Sequence, residues 1–228
     1  MKKNIAHTWI KRTLLLLAIG FTYNSCVKNI TSKTLVYENS FDQGQNYFQV
    51  YGPSGQITIP KIENFNGSNV LGRFFNNYVF LQTETLPKHI AISVEFDLYI
   101  HDKWEGNSSP LASNKPDLWV MSFDDTPVLI TTFSNTGNPQ SFPDFFLPTS
   151  NSPAKANAVR TDLPGACVLK DVAGGTSYYR IVKTVSHSAS SFKISLSDNL
   201  NVTGSSANQI CTKSWSIDNI RISTIKQQ

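Results

Sequence analysis

The chain has 228 residues, 40% hydrophobic, 11% aromatic and only 16% charged, with 20 Lys plus Arg against 16 Asp plus Glu. That length suits one domain or two small ones. The positive excess sits in the leader: Lys2, Lys3, Lys11 and Arg12 fall within residues 1–25, which contain no acid, leaving 16 basic and 16 acidic groups in the rest. A body without net charge cannot neutralise phosphates in bulk, which argues against nucleic-acid binding.

In chain order, the first element is an export signal. A basic segment (Met1 to Arg12) precedes the apolar run Leu14 to Phe21, then Thr22-Tyr23-Asn24-Ser25, then Cys26. Eight apolar residues are too few to span a bilayer, which needs about 20. Ser25 supplies the small residue before a signal-peptide cut. A cysteine placed directly after it resembles the lipobox of bacterial lipoproteins. That resemblance implies lipidation at Cys26 and an exported chain held at the outer membrane by lipid alone, facing the periplasm or the cell surface. Residues 1–25 are then signal peptide, 26–34 a lipidated tether and 35–228 the folded domain.

From Leu35 onward short apolar runs are broken by Gly, Pro, Asn and Ser, with no long stretch at helical period, so the fold class is all-β. About nine strands are expected: Leu35–Phe41, Gln56–Ile59, Tyr78–Thr83, Ile90–Ile100, Leu118–Phe123, Val128–Phe133, Tyr178–Val185, Phe192–Leu196 and Trp215–Ser223. The clearest, Ile90–Ile100, places Ile90, Ile92, Val94, Phe96, Leu98 and Ile100 at alternate positions, predicting one core face and one wet face. Strands of this number and length suit a single antiparallel two-sheet β-sandwich. Two irregular stretches, Asp102–Pro116 and Ser134–Ala173, are long enough to carry function or to need a staple. With Cys26 assigned to lipid, Cys167 and Cys211 remain as an even pair that an oxidising compartment lets join. Two buried thiols are the alternative.

Catalytic patterns are scarce. There is no Gly-x-Ser-x-Gly elbow, no His-Glu-x-x-His and no Gly-rich phosphate loop, so the expectation is a protein that is not an enzyme. Glu95 and Asp97 share one strand face and form the lesser alternative, a glycosidase pair. The loop after that strand gathers Asp102, Glu105, Asn107 and Asp117 around Gly106, beside Trp104. These oxygen donors with an aromatic neighbour suit a ligand site, or a hard cation such as calcium. Glu38 and Asp42 near the first strand would approach Asp218 in the last if those strands lie together, and acids there need a cation or hydrogen bonds.

The segments VYENSFDQ, VLGRFFNN, FDLYIHDKWEGN, PDLWVMSFDD, ITTFSN and SWSIDNIRI follow one another along the chain. In that order they resemble a family of secreted or surface-anchored bacterial β-sandwich modules. ENSFD and SWSIDNIRI are also similar to the ends of jelly-roll carbohydrate-binding modules of the galactose-binding-like superfamily. That likeness implies a structural calcium on Asp42 and Asp218, and a concanavalin-like sandwich is the competing fold. The resemblance points to a lipid-anchored, non-catalytic envelope module that binds carbohydrate. A structural or adhesion lipoprotein contacting envelope proteins is the alternative.

Overall fold

The structure, a computed structural model, describes residues 31–52, 55–108, 115–202 and 206–227. Cys26 and the leader lie outside them, and Lys33–Lys226 forms one compact unit. The chain is all-β. The strands are β1 (Thr31–Asn39), β2 (Gln49–Tyr51), β3 (Ile57–Thr58), β4 (Ile62–Phe65), β5 (Ser68–Phe74), β6 (Tyr78–Thr83), β7 (Ala91–Asp102), β8 (Leu118–Phe123), β9 (Thr126–Thr131), β10 (Arg160–Pro164), β11 (Ala173–Ser186), β12 (Phe192–Asn199) and β13 (Lys213–Gln227). One short helix, α1 (Ser206–Thr212), precedes the last strand.

They form two antiparallel sheets packed as a jelly-roll β-sandwich. The seven-stranded sheet runs β10-β11-β7-β13-β5-β4, with β1 also on β13; the six-stranded sheet runs β3-β2-β6-β12-β8-β9. The longest strands are central: β7 pairs with β11 from Ala91 to His101 and with β13 from Ala91 to Asp102. Each expected strand is present, although boundaries move. The additional ones are β4, β5, β10 and the separate β2; they are short or interrupted, as at Gly72 in β5, so their periodicity is faint in the sequence. β1 begins at Thr31, inside the stretch expected as tether. Its residues are mostly exposed, and an exposed strand needs no apolar alternation.

Alternation on β7 sets the core. Ile92, Val94, Phe96, Leu98 and Ile100 are all fully buried, packed with Trp119, Met121, Phe192, Ile194, Trp215 and Ile217. The opposite face is drier than the alternation predicts. Ser93, Asp97 and His101 are buried as well, because half-buried Phe65, Tyr99 and Tyr178 lie across that face; Phe65 meets His101 at 4.6 Å between ring centroids. His101 is held neutral inside: its ring nitrogens contact the Thr176 hydroxyl at 3.0 Å and the Ser216 hydroxyl at 2.7 Å. Burial, with the nearby Arg73 charge, lowers its pKa to about 3.

The long stretch from Ser134 to Ala173 is stapled. A disulfide joins Cys167 to Cys211 of α1 across 44 residues of sequence, as cysteine parity anticipates. On the chain-entropy picture a loop of this length is worth about 3 to 4 kcal/mol. The staple seats residues 165–169 against the end of β7, where the Cys167 and Leu169 N–H groups reach Asp102.

Candidate functional site

The acidic loop after β7 is a structural knot. Asp102 is fully buried and accepts N–H bonds from Cys167 at 3.1 Å and Leu169 at 2.8 Å; burial pushes its carboxyl up, and these donors oppose that. Trp104 is fully buried as well, its indole N–H donating to the Ser214 carbonyl at 2.8 Å and its ring edge-on to Phe133. Glu105 and Asp117 both meet the Lys213 ammonium, at 2.6 and 2.7 Å, and Lys213 also donates to the Asn201 carbonyl. Burial raises the Asp117 carboxyl, and the ammonium works against that. Asn107 accepts from the Thr132 and Ser141 hydroxyls and donates to the Ser150 carbonyl.

The expectation of a ligand site at Trp104, Asp102, Glu105, Asn107 and Asp117 is therefore corrected. The indole has no open face, and the polar groups satisfy one another, as buried polar groups must. Gly106 shows how tightly the loop is packed: it sits at φ +64°, and a Cβ there would stand 2.1 Å from the Pro139 carbonyl oxygen.

The first and last strands do meet, with a different result for their acids. Glu38 pairs with Arg221 at 2.5 Å, both half-exposed, while Asp42 is exposed. Asp218 is 1% exposed, accepting from the Ser68 hydroxyl at 2.8 Å and its neighbour's Asn219 N–H at 2.7 Å. Directly opposite on β7, Asp97 accepts from the Tyr178 hydroxyl at 2.9 Å, from the Asn219 amide at 2.9 Å and from Arg180. Arg180 also holds Glu95 at 3.0 Å, so the two strand carboxylates share one guanidinium. Burial raises Asp218 to about 6, with Asp97 and Asp42 adding repulsion. Among the described residues no group of three or more His, Cys, Asp or Glu side chains gathers as metal ligands, Glu38, Asp42 and Asp218 included. The donor set expected for calcium is thus not assembled.

What the fold does leave open is an aromatic platform on the outer face of the six-stranded sheet. In β2 and β6, Val50, Val79 and Leu81 point into the core. The pleat then turns Gln49, Tyr51, Tyr78, Phe80 and Gln82 outward. Tyr51 stands opposite Tyr78, and Gln49 opposite Phe80. The Tyr51 and Phe80 rings stack at 5.4 Å with 16° between planes, and Tyr78 joins them at 6.0 and 5.9 Å. Tyr47 beside them is 73% exposed. A shallow recess of about 310 Å³ is lined by Tyr47, Gln49, Phe80, Gln82 and Glu84. Its far margin is charged: Lys193 pairs with Asp125 at 2.6 Å, and the Tyr78 hydroxyl donates to Asp125 at 3.3 Å. Exposed rings beside amides and a carboxylate can stack on an apolar sugar face and hydrogen-bond its hydroxyls. The alternation in YVFLQT carries the signal for this face, with its rings at outward positions.

No protein-family model matches the chain, and the comparison with curated proteins gives no match. Among solved structures, it is similar to dimeric latent PorU from Porphyromonas gingivalis (TM-score 0.41, 8% identity), over 86% of this chain and 13% of that one. The K3 cleaved adhesin domain of Lys-gingipain from the same organism gives a TM-score of 0.36 at 10% identity, over 84% and 100%. A family 35 carbohydrate binding module from Clostridium thermocellum gives 0.35 at 8%, over 84% and 97%. The chain thus spans about an eighth of PorU and nearly all of the other two.

Two outcomes follow from these charges. The folded value of Asp218, about 6, lies above the unfolded value near 3.9, so the native state binds this proton more tightly. Its contribution to stability is full where the carboxyl is protonated and declines as pH rises from about 4 to about 6. Asp218→Asn keeps the Asn219 N–H bond on its oxygen and can donate to the Ser68 hydroxyl. By urea unfolding it is expected to exceed wild type by about 1 kcal/mol at pH 7, a gap that closes below about pH 4; a variant less stable at pH 7 would contradict this. Lys213→Met strands the buried Asp117 and the partly buried Glu105 carboxylate and is expected to cost about 3 to 5 kcal/mol. The loss should shrink when Glu105→Gln and Asp117→Asn are combined with it, and an unchanged loss would show that the ammonium is not their counter-ion.

Proposed function

We propose that this chain is a non-catalytic, carbohydrate-binding β-sandwich, anchored to the cell envelope by lipid at Cys26. The observation that carries the reading is the solvent-facing ring cluster Tyr51, Tyr78 and Phe80, with Tyr47 at its rim and Gln49, Gln82 and Glu84 within reach. A flat face of this kind takes a saccharide by stacking, so its ligand is a chain with exposed sugar faces rather than a small molecule enclosed in a pocket. The mature chain's even charge balance suits a neutral glycan.

A second reading draws on Ile57, which stands opposite Tyr51, and on Ile59, 55% and 74% exposed. Their apolar surface extends the platform and suits contact with an envelope protein. Affinity electrophoresis of the protein through gels containing soluble envelope and plant polysaccharides separates the two. Retardation by at least one polysaccharide is expected, and the double variant Tyr51→Ala, Phe80→Ala should weaken it about tenfold or more while its unfolding midpoint stays close to wild type. A wild type retarded by none of the gels, or a double variant retarded as strongly as wild type, would remove the glycan reading and leave the protein-contact one. The anchor is tested separately: Cys26→Ser should abolish incorporation of a labelled fatty acid, and incorporation that persists in the variant would place the lipid elsewhere.

A further inference from the structure

We propose that His89, His187 and Asp124 form a proton-operated clasp between the two sheets. His89 lies just before β7 and His187 just after β11, both in the seven-stranded sheet, whereas Asp124 sits in the β8–β9 turn of the six-stranded sheet. His89 is buried, the His187 side chain is 8% exposed, and the two rings lie nearly parallel with centroids 4.9 Å apart. Three contacts run in series: His89 Nδ1 to the Pro87 carbonyl at 2.6 Å, His89 Nε2 to His187 Nδ1 at 2.6 Å, and His187 Nε2 to Asp124 Oδ2 at 3.1 Å.

Counting hydrogens along this series shows the device. A carbonyl only accepts, so His89 Nδ1 carries its hydrogen, and a neutral His89 then offers a lone pair at Nε2 to the Nδ1–H of His187. A neutral His187 with its hydrogen on Nδ1 turns a second lone pair, at Nε2, towards a carboxylate. Two acceptors then face each other at 3.1 Å, a contact close enough for an ion pair but without hydrogen-bond geometry. One added proton removes the conflict: His187 becomes an imidazolium, keeps its bond to His89 and forms an ion pair with Asp124. The sheets are joined at this corner when the pair holds one proton and released there when it is neutral.

The surroundings leave that proton as the variable. Asp124 is fixed by the Lys193 N–H of β12, which donates to Oδ1 at 2.8 Å. The Lys193 ammonium pairs with Asp125 while lying within the field of Asp124. Phe192 closes the other side of His187 edge-on at 5.5 Å. On the neighbouring segments Lys88, Glu84 and Lys226 are exposed, and Lys183 of β11 lies over the Phe145 ring. A metal between the rings is excluded by spacing: bonds of about 2.0 Å to each nitrogen need them roughly 3 Å or more apart, against 2.6 Å here.

The test compares denaturant and thermal unfolding of wild type and Asp124→Asn from about pH 5 to about pH 8. The asparagine oxygen still accepts from the Lys193 N–H, so the charge is lost and the amide N–H that replaces Oδ2 can donate to a neutral His187 Nε2 but not to an imidazolium. The ion pair exists while the pair is protonated, so its stabilisation is present at the acidic end and disappears as pH rises. Wild type is expected to melt about 2 to 4 °C above the variant near pH 5, with the gap closing or changing sign near pH 8. The titrations of Asp198 and Asp218 are common to both chains and cancel in the difference. A gap that is flat or widens with pH overturns the proposal. Side-chain nitrogen NMR gives an independent reading: at the acidic end both ring nitrogens of His187 are expected to carry hydrogens, and a neutral His187 ring there overturns the proposal.

Discussion

A single ammonium, that of Lys213, is buried where three parts of the chain converge, and the organisation of that end of the sandwich depends on it. It opens β13, and it is reached by Glu105 from the loop after β7, by Asp117 from the entry to β8, and by the Asn201 carbonyl beyond β12. A charge so placed would be costly alone, and so would either carboxylate. Together with Asp102, which gathers the N–H groups of residues 167 and 169, it turns an acid-rich loop into a closed polar core. The disulfide to Cys211, two residues before Lys213, ties the same corner covalently.

This arrangement separates two kinds of polar surface. At the Lys213 end and along the face of β7, carboxylates are buried and matched by cations, hydroxyls and backbone N–H groups. On the six-stranded sheet, rings and amides stand in solvent with part of their bonding capacity free. The second kind is the better suited to a ligand, because a ligand gains from groups that have not already been matched inside the protein.

Much of the fold is legible in the sequence, and the reason lies in local pattern. Ile90–Ile100 reads as a strand because its inner face is buried core from Ile92 onward, Ile90 alone being exposed, so its alternation is undisturbed; β12 and β8 read for the same cause. β4 and β10 do not, being four and five residues long, too short to show a period. The site is harder to read, because burial of polar residues is decided by partners far away. Trp104 and Asp102 look available until Phe133, Ser214 and the segment around Cys167 close over them. Asp117 and Lys213, 96 positions apart, show no local sign of belonging together. Tyr51 belongs to the three-residue β2, whereas Tyr78 and Phe80 are legible in the alternation of β6, whose aromatic members fall at outward positions. Which face of that strand stays uncovered depends on the order of strands in the sheet, and no local pattern shows it.

Gly106, whose missing side chain leaves room for the Pro139 carbonyl, marks a position that no larger side chain can take without displacing that carbonyl, and the residues around Lys213 share that constraint. The platform residues carry no such obligation, since their side chains project away from the core and bond only to exposed acids, Tyr78 to Asp125 and Gln82 to Glu84. Descendants of this chain can therefore exchange Tyr47, Gln49, Tyr51 or Gln82 freely without refolding the scaffold. Substitutions on this face should leave the frame unchanged, so that related chains can differ in outer chemistry while their loops stay nearly superimposable.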